Sequence, residues 1–322
     1  MHRLVLLCAA LLLSFPARAS ELEKVIFCRP QSLASELAYI AEQKGYFREQ
    51  GLDVEFLPSV SGKICQDNLV AGKADFGYVG DGPISYLGFH DHGLRVLAQV
   101  QRNPEQALIA RRDHGIAREA DIKGKRIGYL PGTTSYFYLA RLLDKLGLRL
   151  DEVKLQPLQP PAMPRALEGG VIDAFVVWEP WGSQAMRLLG DKGIRLRDKT
   201  LYDWACLLVA TKAMTDERPA TVEKLLKAML KAEAYIRDNT EAVIPLLAET
   251  VKMDIEVVKL DWPDFDHGIK LDRSLTGLLA ANAHYILRDD ANFKDKPMPD
   301  FRKSFEPKFL RAVAPERVQE GF

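Results

Sequence analysis

The 322-residue chain has no apolar run near the roughly 20 residues that a bilayer-spanning helix needs; its longest, Leu4–Leu13, is ten. Net charge is also missing: 44 basic side chains balance 44 acidic ones, so nothing marks nucleic acid or an anionic membrane surface as a partner. The four cysteines are too few for a disulfide-stapled scaffold in a chain of this length. No glycine-rich phosphate loop, serine nucleophile elbow or Ser-His-Asp order occurs. His114, His267 and His284 stand alone, and the imidazoles of His90-Asp91-His92 splay apart at a helix end. No metal, cofactor or catalytic residue is therefore expected, and the chain reads as a non-enzyme.

What is present begins with a leader. Met1-His2-Arg3 is a basic start, Leu4–Leu13 an apolar stretch and Ala17-Arg18-Ala19 a small-residue cleavage site. Residues 1–19 thus read as a signal peptide, with Ser20 first in the mature chain. Leu7 precedes Cys8 where lipoprotein processing wants a small residue, which argues against lipidation. The expected product is a soluble periplasmic monomer of about 300 residues, enough for two cores. Cys28, Cys65 and Cys206 remain, an odd set: a Cys28–Cys65 bridge is conceivable, but three buried thiols acting as small apolar groups is the expected state.

Strand-like runs at Val25–Cys28, Asp53–Leu57, Ala74–Val79 and Leu94–Val100 alternate with helical spacing over 33–50, 63–71 and 83–90. The same grammar then repeats, with strands at Lys125–Leu130, Val153–Leu158 and Asp173–Val177 and helices at Ser135–Leu146 and Met163–Leu167. From Val25 to Asp75 is 50 residues and from Arg126 to Asp173 is 47, and the units close on the like phrases Val70–Tyr78 and Leu167–Phe175. Two copies of one βαβαβ unit predict an α/β protein of two lobes, each with a mostly parallel sheet covered by helices.

In open α/β sheets ligands sit outside the carboxyl ends of the strands. If both lobes turn that edge to one cleft, its candidate lining is Arg29, Gln31 and Ser32, then Ser61 and Gly62, then Gly80 and Asp81, from the first unit. The second unit contributes Gly132, Thr133, Thr134 and Ser135, with Trp178 and Glu179. Gly132–Ser135 opens a helix, whose unpaired N–H groups and dipole receive anions; the plainer alternative is an N-cap that binds nothing. Its place in the cleft favours the anion. A helix end contributes about 0.3 to 2 kcal/mol, whereas micromolar affinity needs roughly 8 kcal/mol, so donors must converge from both lobes. Arg29 and Lys63 are possible oxyanion partners, although most such charges are solvated. Tyr78, Tyr129, Tyr136 and Trp178 are candidate walls for a solute; at the end of its strand, a buried Trp178 ring would have no layer to pack against.

Asp75-Phe76-Gly77-Tyr78-Val79-Gly80-Asp81-Gly82-Pro83, Asp121–Gly128 and Asp173-Ala174-Phe175-Val176-Val177-Trp178-Glu179-Pro180 resemble the aliphatic sulfonate, taurine and nitrate binding proteins of ABC transporters. Leu37–Ala41, Gly45-Tyr46-Phe47 and Gly51-Leu52 are similar to these proteins and to their thiamine-pyrimidine-binding relatives. The resemblance covers residues 25–235. It implies a type 2 periplasmic-binding fold, two lobes joined by two hinge strands near Ala107–Arg111 and Ala205–Thr211, and an inner-membrane ABC permease as partner. Lobe one is then 20–106 with 205–322 and lobe two 107–204; helices at Thr221–Arg237 and Leu275–Leu287 pack back onto lobe one. The loops Arg29–Ser32 and Ser59–Cys65 match no known sulfonate-contact pattern, which leaves the solute open.

Three functions are carried forward: a receptor for a small, anionic solute, organic or inorganic; a receptor for a neutral heterocycle such as a thiamine-precursor pyrimidine, with Glu179 or Asp81 as base-edge acceptor; and a secreted enzyme on the same scaffold. The cysteine-rich motif of the pyrimidine-making relative is missing here.

Overall fold

A computed structural model describes residues 21–90 and 92–322; the signal peptide expected at 1–19, Ser20 and Asp91 lie outside the described residues. Among the described residues ten strands form two five-stranded sheets. The first holds β1 (Glu23–Pro30), β2 (Leu52–Ser59), β3 (Phe76–Gly80), β4 (Leu94–Asn103) and, much later in the chain, β10 (Trp204–Thr211). The second holds β5 (Ala107–Arg111), β6 (Arg126–Tyr129), β7 (Lys154–Pro157), β8 (Ala174–Val177) and β9 (Gly193–Leu196). Their orders, β2-β1-β3-β10-β4 and β7-β6-β8-β5-β9, are the same order twice.

Both sheets are mixed. Within each repeat the three strands pair parallel, because a helix returns the chain between them; β10 and β5 then insert antiparallel beside β3 and β8. The closing phrases of the repeats account for the matching geometry. Asp75 accepts from the Ile26 N–H at 2.8 Å, and Asp173 accepts from the Arg126 N–H at 2.8 Å, each pinning the third strand to the first.

The runs expected as hinges, β5 and β10, are bonded into their sheets on both sides. The chain passes between lobes just ahead of them, through 104–106 and 197–203, and the two passages run close together because Trp204 pairs with Asn103. The long helix Pro219–Asp238 lays Val222, Leu225, Leu226 and Met229 into the lobe-one core. Helix Ser274–Asp289 touches both lobes: it packs on helix Asp81–Leu87, and its Asn282 Oδ1 and Asp289 accept from Arg141 and Tyr136 of helix Thr134–Lys145 at 2.8 and 2.6 Å.

One expectation is overturned. Cys28 of β1 and Cys65 of helix Gly62–Val70 form a disulfide, their Cα atoms 5.3 Å apart, so among the described residues only Cys206 is a buried thiol. Strand and helix pack face to face, and the separation falls within the span a disulfide bridges. Sequence spacing cannot show that proximity.

Candidate functional site

A cavity of about 40 Å³ lies where the lobes meet at the carboxyl ends of the strands. Four segments bring its polar groups together. Ser32 and Ser35 follow β1; Gly62 and Lys63 open helix Gly62–Val70; Gly80 ends β3; and Thr133 and Thr134 open helix Thr134–Lys145. Tyr78, Trp178, Trp204, Pro83 and Cys206 supply apolar wall. Lys63 is the one charged residue lining it among the described residues, and its Nζ reaches out to Asp67 at 2.7 Å.

The lobes approach backbone to backbone here. A Cβ on Gly82 would sit 2.8 Å from Thr134 N and 2.9 Å from Thr133 C, so that only glycine admits the second lobe's helix start against the first lobe's. Thr133 caps that helix, accepting from the Ser135 N–H at 3.3 Å and donating to Leu130 O at 2.8 Å. Thr134 Oγ1 accepts from Gln106 Nε2 at 3.0 Å, which leaves its own hydroxyl proton to give.

Of the residues named from topology, Ser32, Gly62, Gly80, Thr133, Thr134 and Trp178 line the cavity. Others stand near it in supporting roles. Ser61 caps helix Gly62–Val70, accepting from Ile64 N–H. Ser135 donates to Val176 O at 2.6 Å and accepts from Leu130 N–H, tying its helix to β8. Gly132, at φ +71, takes the left-handed turn that glycine allows and faces the Lys63 stem. The side chain of Gln31 is not among the lining groups; its backbone N–H donates to Ser59 O.

Three charged candidates are already engaged. The Arg29 guanidinium is sandwiched between Tyr39 and Phe56, 4.0 and 3.8 Å from their ring centres, and bonds Glu42, so it faces away from the cavity. Asp81 accepts from Tyr202 O–H at 2.5 Å, Asn282 Nδ2 at 2.7 Å and Ala205 N–H at 3.2 Å. Burial pushes its carboxyl above the ordinary range despite those donors. Glu179 pairs with Arg195 at 2.7 Å and accepts from Ser183 N–H. Trp178 does have a layer to pack against: it is 8% exposed and belongs to the lobe-two core while one side meets the cavity.

Ser35, Pro83, Trp204 and Cys206 were missed because topology points to strand ends in the order the chain first visits them. Trp204 and Cys206 arrive on β10, more than a hundred residues later. A larger recess of about 530 Å³ sits at the far end of lobe one, beside the start of β4 and residues 296–304. Of its polar lining, His92 and Lys303 are solvent-exposed and Lys296 is half-buried, and among the described residues no unpartnered buried polar side chain lines it.

Paired mixed sheets with a cavity at their shared strand-end edge define a two-lobed periplasmic-binding-protein fold. Solved structures agree: SsuA of Escherichia coli, described as a periplasmic aliphatic sulphonate binding protein, superposes with a TM-score of 0.71 at 20% identity, over 90% of this chain and 99% of its own. The periplasmic nitrate-binding protein NrtA of Synechocystis PCC 6803 gives 0.72 at 17% identity, over 92% and 89%. Among relatives, the taurine-binding periplasmic protein of Escherichia coli is 27% identical over 208 residues, 62% of this chain and 63% of its own. The chain belongs to the family described as NMT1/THI5 like, whose profile matches residues 35–242.

Proposed function

We propose that this protein is the periplasmic solute-binding component of an ABC importer, taking a small oxyanion of the sulfonate, taurine or nitrate type between its lobes. The observation that carries the reading is the cavity's chemistry: hydroxyls and two helix starts converge on it from both lobes, and no carboxylate lines it among the described residues. Such a wall offers donors and no negative charge, which suits an anion. About 10 to 15 Å³ of such space accommodates one water, so 40 Å³ receives a group of a few heavy atoms, such as a nitrate or a sulfonate head. A longer organic tail requires the lobes to part.

The pyrimidine alternative loses its footing, since Asp81 and Glu179 spend their oxygens on Tyr202, Asn282, Arg195 and backbone N–H groups. A non-enzymatic role is favoured by the same lining, where no acid and base face each other. The division proposed is lobe one as 20–106 with 205–322 and lobe two as 107–204, a reading that the membership of the two sheets supports apart from Trp204, which begins β10. Export to the periplasm is supported by the Cys28–Cys65 disulfide, a bond that persists in oxidising compartments.

Thermal-shift titration of the mature protein with nitrate, ethanesulfonate, taurine and a hydroxymethylpyrimidine tests the reading. An oxyanion at 100 times its Kd adds about 2.7 kcal/mol of stability. Stabilisation by the pyrimidine alone would overturn it.

A further inference from the structure

The first passage between the lobes carries a buried acid. Glu105 lies between β4 and β5, is 2% exposed, and neither of its carboxyl oxygens has a hydrogen-bond partner. Its backbone N–H is held by Asn103 Oδ1 at 3.0 Å, which fixes the turn. An ionised carboxylate so placed loses its hydration and gains nothing in exchange.

The charged groups around it give little relief. Glu179, after β8, is committed to Arg195 of β9 at 2.7 Å. Arg197, in the second passage, is committed to Asp261 of helix Ile255–Asp261 through two bonds of 2.7 and 3.0 Å. The Cys206 thiol of β10 is near as well, and it too is buried. Burial, then the Glu179 and Asp261 carboxylates, push the Glu105 carboxyl well above its ordinary range, against the weaker pull of Arg197 and Arg195. These neighbours come from lobe one, lobe two and the second passage, so Glu105 lies buried among charged groups of both lobes. The next residue, Gln106, reaches the cavity wall by donating to Thr134 Oγ1.

We propose that Glu105 binds a proton when the lobes close, making the proton a co-ligand of the solute. Opening the lobes admits water to the passage and releases the proton; closure over a solute takes one up. The sign follows: closure is favoured while the carboxyl is protonated in the open form, below about 4.3, and weakens by up to tenfold per pH unit above that until the closed-form value is passed.

The proposal rests on the solute-receptor reading, and the experiment separates the two. Nitrate and ethanesulfonate, which do not titrate between pH 5 and 8, are titrated calorimetrically into the mature protein in two buffers of different ionisation heat. The expected result is proton uptake on binding in the wild type and none in Glu105→Gln, with Kd rising with pH only in the wild type. Binding without proton uptake, or equal uptake in Glu105→Gln, overturns the proposal. If neither anion binds, the receptor reading fails for those anions, and the hinge is read without ligand. The unfolding midpoint of the wild type should then fall relative to Glu105→Gln between pH 5 and 8; parallel curves overturn the proposal.

Discussion

In lobe one the Asp75 carboxylate accepts from the N–H of Ile26 in β1; in lobe two Asp173 accepts from Arg126 in β6 at the same 2.8 Å. The backbone bonds of the two aspartates match as well, whereas their other side-chain bonds diverge. Asp173 also takes the Arg126 guanidinium at 2.6 and 3.0 Å and lies 2.7 Å from His114 Nδ1. Lobe one places its extra tie elsewhere, as the covalent link from β1 to helix Gly62–Val70. The backbone anchor is common because both units must join a third strand to a first, while the staple around it varies with local neighbours. The helix starts differ too: Ser61 and Thr133 both cap their own helices, but only the Thr134 helix is pressed against the opposite lobe, at Gly82.

The largest expected effect is on lobe one. The disulfide closes a loop with a sequence separation of 37, so replacing both partners by alanine should cost about 2 to 4 kcal/mol in denaturant unfolding. A loss shared equally by lobe two would erase the comparison. Next, Asp173→Asn should destabilise lobe two by about 2 kcal/mol, the scale of hydrogen bonds to charged groups, and more than Asp75→Asn does lobe one. The Arg126 guanidinium holds the Asp173 carboxyl far below the usual range, against its burial. Its stabilisation is complete above the ordinary carboxylate value of about 4 and is lost as pH falls below that. Chemical unfolding at pH 3 and 7 should show this in the wild type and less in Asp173→Asn.

The smaller effects concern the meeting of the lobes. Gly82→Ala puts a methyl against the backbone of Thr133 and Thr134. Oxyanion Kd should rise about tenfold, or 1.4 kcal/mol, with the unliganded midpoint little changed; unchanged affinity would mean that closure does not require this approach. Thr134→Ala should weaken binding by about 0.5 to 1.5 kcal/mol, the net worth of one hydrogen bond. Ser135→Ala should lower lobe-two stability and leave Kd alone, because that hydroxyl bonds Val176 O and Leu130 N–H.

Much of the architecture was legible along the chain. The repeated unit, its strand ends and a helix opening at Ser135, one residue after its observed start, all follow from local period and punctuation, which depend on neighbours a few residues apart. Strand β9 escaped, since Gly193-Ile194-Arg195-Leu196 is too short and too mixed to show alternation. The charged candidates misled for a different reason. Arg29, Asp81 and Glu179 do stand at strand ends, but each turns to a partner from another part of the chain: Glu42, Tyr202 with Asn282, and Arg195.

By itself the sequence determined two like strand-helix units and the strand ends that each offers to a ligand, because backbone pairing and amphipathic period are local properties. Only the tertiary structure decided which side chains remain to line the cavity, that Cys28 meets Cys65, and that Glu105 is sealed in the passage between lobes. Those outcomes depend on which distant groups compete for the same charge, thiol or space, and that competition exists only once the chain has folded.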